Sequence, residues 1–288
     1  MESFIFQYGS DFHLNADSPP FSILIEPAQG ANALALCGDL GDPFSGLYSD
    51  FLRWCSVRWP LVFVIAGNHE YFVKDSSIGM DDIERQIRKV CRAAGPNVVF
   101  LQQEVFLIEK YKIAVLGTTM WSTPELRRWS SMSEEFLGHP GSRGEYNAMF
   151  KNDEYTGQRR PLHPSDITEL SLRQSAWLRK SLNMSWGSVP EGYRAIVLTH
   201  YLPTYKLNPP AYKDHKWRSC YAQAMDDMMK EPVVAWLCGH SHSAQTLRFD
   251  TGCLVSLNPL GYKREAGKNG YSRRATVVVY RENFAVAH

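Results

Sequence analysis

Five short apolar runs in this chain each lead into residues able to hold a metal ion. Residues 4–8 lead to Asp11-Phe12-His13, residues 33–37 to Gly38-Asp39-Leu40-Gly41-Asp42, and residues 61–66 to Gly67-Asn68-His69-Glu70. Residues 195–199 lead to His200, and residues 233–238 to Gly239-His240-Ser241-His242. Apolar runs this short, bounded by turn residues, read as strands buried on both faces. In open α/β sheets ligands gather beyond the carboxyl ends of the strands. Five such ends would deliver their polar groups to one rim. Glycines 38, 67 and 239 would let the backbone turn sharply there.

Further runs at 98–101, 113–117, 254–257 and 276–280 also read as strands. Helical spacing appears over 48–58 through Phe51, Leu52 and Cys55, and over 81–94 through Ile83, Ile87, Val90 and Cys91. The clearest helix is 166–182, with Ile167, Leu170, Trp177, Leu178 and Leu182 on one stripe and Asp166 with Glu169 capping its start. Strands and helices alternate early and hairpin-like spacing dominates the end, so the expectation is an α/β protein with mixed sheets. The 288 residues suit one large domain, 1–288. Residues 121–164, rich in Ser, Gly, Pro and paired charges, read as an insertion that either covers a site or is a solvated excursion.

With 31 basic and 30 acidic residues, no whole-chain field steers nucleic acid or membranes. The apolar runs fall far short of the roughly 18 residues of a membrane span, so no membrane partner is expected. Glu2 and the lack of a basic stretch before a long apolar core argue against a secretory leader. Six cysteines without a CxxC pair predict free thiols, with Cys37 and Cys238 as buried small hydrophobes. The expected setting is intracellular and cytoplasmic.

The chemistry collects in the i, i+2 pairs. In extended chain, residues two apart point the same way, so Asp11 and His13 can grip one ion. His240 and His242 can meet one centre or two adjacent ones. Carboxylate, amide oxygen and imidazole without thiolate suit manganese, iron, zinc or similar ions in open sites. Seven ligands, one of them bridging, suffice for two ions.

The ordered pattern DxH, GDxxD, GNH[ED], a lone His after an apolar strand, then GHxH resembles the calcineurin-like metallophosphoesterase superfamily. The likeness runs from about residue 4 to about residue 262. It implies a two-sheet α/β/β/α sandwich with the metal site at the carboxyl ends of the strands. It implies Asp11, His13 and His242 on a first metal, Asn68, His200 and His240 on a second, and Asp39 bridging both. The cofactors implied are two divalent ions, manganese first, with iron, zinc, magnesium and nickel in the same class. His69 would protonate the leaving oxygen without binding metal, and Asp42 would orient its neighbours. The implied reaction is hydrolysis of a phosphomonoester or phosphodiester by a metal-bridging hydroxide. The expected partner is a small phosphoester, with nucleic acid and phosphoprotein still within the class.

The alternative is a scaffold that keeps the fold and binds metal without catalysis. Such chains normally lose a ligand or the acid histidine, and none is missing here. A β-lactamase-like hydrolase would need a compact HxHxDH, and a nucleotide-driven enzyme a GxxxxGK[ST]; the sequence has neither. Trp121 can wall the site or pack in the core. Arg127, Arg128, Arg143, Arg159 and Arg160 can clamp a phosphate or lie in salt-bridged surface. The cation-rich stretch 263–274 can meet an anionic substrate or form a loop. His139, His163, His215 and His288 read as surface residues.

Overall fold

The computed structural model describes residues 3–73, 75–122, 149–153, 156–213, 218–280 and 284–288. Along the chain run β1 (Ser3–Gly9), α1 (Phe21–Leu24), β2 (Ala33–Cys37), α2 (Gly46–Ser56), β3 (Leu61–Ile65), α3 (Met80–Ala94) and β4 (Val98–Phe100). Then come β5 (Glu104–Ile108), β6 (Ile113–Thr118), β7 (Phe150–Asn152), β8 (Arg159–Pro161), α4 (Pro164–Ser181) and β9 (Arg194–Thr199). The last strands are β10 (Val233–Cys238), β11 (Gln245–Arg248), β12 (Leu254–Leu257), β13 (Thr276–Tyr280) and β14 (Phe284–Ala287).

Two six-stranded sheets form, in the orders β14-β13-β1-β2-β3-β4 and β11-β12-β10-β9-β6-β5. Neighbours run parallel from β1 through β4. In the second sheet β6, β9, β10 and β12 are mutually parallel. Antiparallel strands close both edges of the second sheet and one edge of the first. The pleat explains the stacking. Ala33, Ala35, Cys37, Phe63 and Ile65 point towards Ile113, Val115, Ile196, Leu198 and Leu237 of the other sheet. Leu34, Leu36, Val62 and Val64 point the opposite way, onto Phe51 and Leu52 of α2 and Ile83 and Ile87 of α3. Across the second sheet, Ala114, Leu116, Val197 and Trp236 meet Leu178 of α4. Helices thus cover both outer faces, giving the expected α/β/β/α sandwich. Strands buried on both sides must be apolar at every position, which is why they read as continuous runs. Each fully buried Val, Leu, Ile or Phe contributes about 1.5–3 kcal/mol.

Strands β5, β11 and β14 and the hairpin β7–β8 were not expected from the sequence. Every position of β5 is half-buried, and β11 alternates half-buried with exposed. Of these, β11 carries no apolar run, whereas residues 105–108 of β5 and 284–287 of β14 are short apolar runs absent from the expected strands. The last helix also starts earlier than its apolar stripe suggests. His163 is its N-cap, and Asp166 accepts the His163 backbone N–H at 2.7 Å from the N3 position.

Of the expected insertion, residues 123–148 lie outside the described residues, and Arg127, Arg128, Arg143 and His139 fall there. His215 also lies outside them. The described part is structural. Arg159 pairs with Asp82, while Arg160 and Lys151 hold Asp166. Trp121 is buried against Tyr71 and Tyr201. All six cysteines are free. Among the described residues no helix is long and apolar enough to cross a membrane.

Candidate active site

The loops after β1, β2, β3, β9 and β10 converge on one rim, the carboxyl ends of both central parallel ladders. Backbone hydrogen bonds continue past the strands and stitch these loops together. Asp11 N–H donates to Gly38 O at 2.9 Å and His13 N–H to Asp39 O at 2.9 Å. Gly239 N–H donates to His200 O at 2.9 Å, and Gly261 N–H to Asp11 O at 3.0 Å. The rim therefore inherits the register of the sheets.

Asp11, His13, Asp39, His240 and His242 all have positive φ, between 45° and 75°. This left-handed conformation is uncommon outside glycine and costs on the order of 1–3 kcal/mol per residue. The i, i+2 pairs are therefore not extended as expected; left-handed turns aim their side chains. The pair His240 and His242 also divides. His242 joins Asp11 and His13, while the His240 ring lies 5.1 Å from the His200 ring.

The glycines serve two different ends. Gly38 turns with φ +87°. Gly67 and Gly239 instead leave space for carboxylates. A Cβ on Gly67 would lie 2.1 Å from Asp39 Oδ1, and one on Gly239 2.8 Å from Asp11 Oδ2.

The donor atoms have the spacing of ligands on shared ions. Bonds of about 2.0–2.2 Å set two ligands on one cation roughly 3 Å apart when they meet it at a right angle. His13 Nε2 is 3.1 Å from His242 Nε2, and His242 Nε2 is 3.3 Å from Asp11 Oδ1. His200 Nε2 is 3.0 Å from Asn68 Oδ1 and 3.4 Å from Asp39 Oδ2. Asp39 Oδ2 also lies 3.9 Å from His13 Nε2, between the two sets. With carboxylate and amide oxygens and imidazole nitrogens as donors, the residues fit divalent cations.

Second partners fix how these donors point. His200 Nδ1 lies 2.9 Å from Cys37 O, and a carbonyl only accepts, so Nδ1 carries the proton and Nε2 faces the site. Glu265 does the same for His242, taking Nδ1–H at 2.8 Å. His240 N–H donates to the Asp11 carboxylate, and His69 N–H to Asp39 Oδ1 at 2.9 Å.

The electrostatics follow from burial and pairing. Burial alone would raise the Asp39 carboxyl, but the charge and hydrogen bond of His200, then His69 and His13, hold it well below the usual carboxylate range. Asp11 is lowered too, burial being outweighed by the His242 hydrogen bond and the His200 charge. Burial pulls His200 down, yet Asp39 outweighs it and lifts the imidazole to about 10. In His13 and His240 burial wins, taking them to about 4 and about 3. Those two are neutral at pH 7, with a lone pair available to a cation.

His69 stands at the margin of the cluster. Its Nε2 is 3.9 Å from Asp39 Oδ2 and 3.3 Å from Tyr262 Oη, and its side chain is 31% exposed. Asp42, expected to orient its neighbours, is exposed, and its carboxylate accepts the Phe44 N–H at 2.9 Å. The buried carboxylate that orients the loops is Glu70. It accepts N–H groups from Asp39 at 3.0 Å, Leu40 at 2.6 Å and Gly67 at 2.8 Å. Burial and then the Asp39 charge push Glu70 up to about 8, against the pull of its backbone donors. Tyr262 stacks on His13 with ring centres 4.5 Å apart. His163 and His288 are on the surface.

Comparison with known proteins gives a consistent picture. The family model described as calcineurin-like phosphoesterase matches residues 10–244. A protein of Acanthamoeba polyphaga mimivirus, itself uncharacterised, is 24% identical over 243 residues, covering 81% of this chain and 79% of that one. The fold is similar to that of the phosphopantetheinyl hydrolase of Mycobacterium tuberculosis, with a TM-score of 0.63, 13% identity and 91% of each chain covered. It is also similar to a dimetal phosphatase from Danio rerio, with a TM-score of 0.54, 13% identity and coverage of 99% and 98%.

Proposed function

The chain belongs to the calcineurin-like phosphoesterase family, a family of metal-dependent phosphoric ester hydrolases, and we propose that it hydrolyses a small phosphomonoester or phosphodiester at a centre for two divalent cations. Asp11, His13 and His242 would hold one cation, Asn68, His200 and His240 the other, and Asp39 both. Two cations bound there would neutralise phosphate charge, set attacking and leaving oxygens in line, and bring the pKa of water towards neutrality. Manganese is the first choice, with iron, zinc, magnesium and nickel suited to the same donors. The observation that carries this reading is the position of Asp39 Oδ2, within 3.9 Å of both His13 Nε2 and His200 Nε2.

The protein's own groups have separate tasks. Glu70 fixes the Asp39 and Gly67 loops, so the carboxylate does not have to find its place when substrate arrives. His69 donates a proton to the leaving oxygen from Nε2. Its backbone is tied to Asp39, while its ring stays open to solvent. Imidazole suits the task because its ordinary pKa lies near neutrality. Tyr262, in contact with His13 and His69, holds both rings in place.

Hydrolysis of bis-p-nitrophenyl phosphate and p-nitrophenyl phosphate by stripped and manganese-reloaded protein tests the reading. Activity should need both the metal and Asp39, and Asp39→Asn should remove it. His69→Ala should keep both metals and lose about 10²–10⁴-fold in rate on an ester with a poor leaving group. Two bound metals with no turnover of any phosphoester would leave a metal-binding scaffold in place of the enzyme.

A further inference from the structure

A cavity of about 950 Å³ opens beside His13 and Tyr262, between the loop after β1 and the loop after β12. That volume suits a ligand well beyond a phosphate group. Phe12, Pro19, Ile23 and Leu260 give it an apolar lining, and Lys263 and Arg264 add two cations. Ile23 is 56% exposed, a large apolar side chain that the core does not use. The Arg264 side chain is 81% exposed, with its guanidinium over the Tyr262 ring and its Nε 3.9 Å from Glu265 Oε1. One carboxylate, Asp17, also lines the cavity, so the cations outnumber it.

Tyr262 links this cavity to the chemistry. Its ring covers His13, its hydroxyl reaches His69 Nε2 at 3.3 Å, and it forms part of the cavity wall. A phosphate among the metal donors must turn its leaving oxygen towards His69 if His69 is to protonate it. Tyr262 stands between His69 and the cavity, touching the first and lining the second. We propose that this cavity receives the alcohol portion of the substrate, an extended and largely apolar body ending in an anionic group that meets Lys263 and Arg264. The inference rests on the phosphoesterase reading and adds the class of substrate to it. In the step itself, water adds to phosphorus and gives up a proton to solvent, the ester P–O bond breaks, the alcohol leaves with the proton from His69, and His69 regains a proton from solvent.

The test compares ethyl phosphate, hexyl phosphate and a hexyl phosphate carrying a terminal carboxylate, by phosphate release from the manganese-loaded protein. Ethylphosphonate and hexylphosphonate, which cannot be hydrolysed, are titrated by calorimetry in parallel. Hexyl phosphate should exceed ethyl phosphate in kcat/KM by at least about tenfold, and the carboxylate should add to that. Ile23→Asp should erase the hexyl preference while sparing ethyl phosphate. Lys263→Ala with Arg264→Ala should erase only the carboxylate gain. Equal turnover of ethyl and hexyl phosphate, or a preference untouched by these variants, would overturn the cavity assignment and leave the hydrolase standing. Tighter binding of hexylphosphonate, lost in Ile23→Asp, with no phosphoester turned over would keep the cavity and remove the hydrolase.

Discussion

Glu265 accepts the Nδ1–H of His242 at 2.8 Å, and the same carboxylate oxygen accepts the backbone N–H of Tyr262 at 2.8 Å. One oxygen thereby fixes the tautomer of His242, a residue of the proposed metal centre, and closes the loop that carries Tyr262. The Nε2 lone pair of His242 is left facing Asp11 and His13. A partner of this kind sharpens a ligand's orientation and raises its basicity.

Loss of that partner should therefore weaken metal binding without removing any ligand. Glu265→Ala should raise the manganese dissociation constant about 10–100-fold for the cation shared by Asp11, His13 and His242. The other cation should bind nearly as before. Isothermal titration of stripped protein resolves the two, and two unchanged constants would refute the role.

The space beside Asp39 leaves no room for a methyl group. Gly67→Ala should displace the Asp39 carboxylate, cost about 1–3 kcal/mol of stability through overpacking and reduce metal binding. Gly46→Ala, where a Cβ would meet nothing within 4 Å, is the matched control and should be near neutral. Equal melting temperatures and equal manganese binding in the two variants would contradict this account.

Asp166 supplies a pH signature away from the metal donors. Burial opposes its ionisation, but Arg160, the His163 N–H and Lys151 outweigh it and hold its carboxyl below the usual range. A depressed folded-state pKa contributes stability that is present above the unfolded value, about 3.9, and lost as pH falls through the folded value. Asp166→Asn removes the charge from its hydrogen bonds to Arg160 and Lys151 and should cost about 1–3 kcal/mol at pH 7, with the gap constant down to about pH 5 and narrowing below about pH 4. Urea titrations across that range measure it. A gap that stays constant at the lowest pH where both proteins fold would count against the pairing.

Chelation should destabilise the wild-type protein. A cation at a hundred times its dissociation constant adds about 2.7 kcal/mol to the folded state, worth several degrees in melting temperature for a chain of this size. Asp39→Asn should lose most of that increment. Calorimetric scans with chelator and with manganese read it directly, and a melting temperature indifferent to both would show that the donors hold no cation.

Much of this molecule was legible because its central strands are buried on both faces. Ala33–Cys37 and Val233–Cys238 have no solvent side, so burial wrote itself into every residue. Gln245–Arg248 lies at a sheet edge, where one face tolerates polar residues, and no run marks it; Glu104–Ile108, at the other edge, has four apolar residues in a row but no polar motif after it to draw attention.

The residues that gather at the rim were legible for a related reason, since each follows a readable strand end. The residues that hold them were harder to find. Asp42 and Glu70 are both carboxylates in metal-site motifs, and sequence does not tell which one turns inward. Asp42 is held by its own turn through Phe44, while Glu70 sits under three backbone donors. Glu265 lies in a loop with no motif at all. Its one local sign is the three-residue step from Tyr262, the spacing of a capping box.

The candidate donors come from both sheets: Asp11, His13, Asp39 and Asn68 from the first, His200, His240 and His242 from the second. The site is thus a seam, and its alignment depends on the fit between two sheets that loop hydrogen bonds such as Gly261 N–H to Asp11 O join at the rim. That fit is kept by the shared layer of Phe6, Phe63, Ile65, Val115 and Ile196. A side chain in this layer never approaches the substrate, yet its size sets the gap across which the donors must meet. Swelling or shrinking that layer would act on the centre as a wedge or a slack joint does on a hinge.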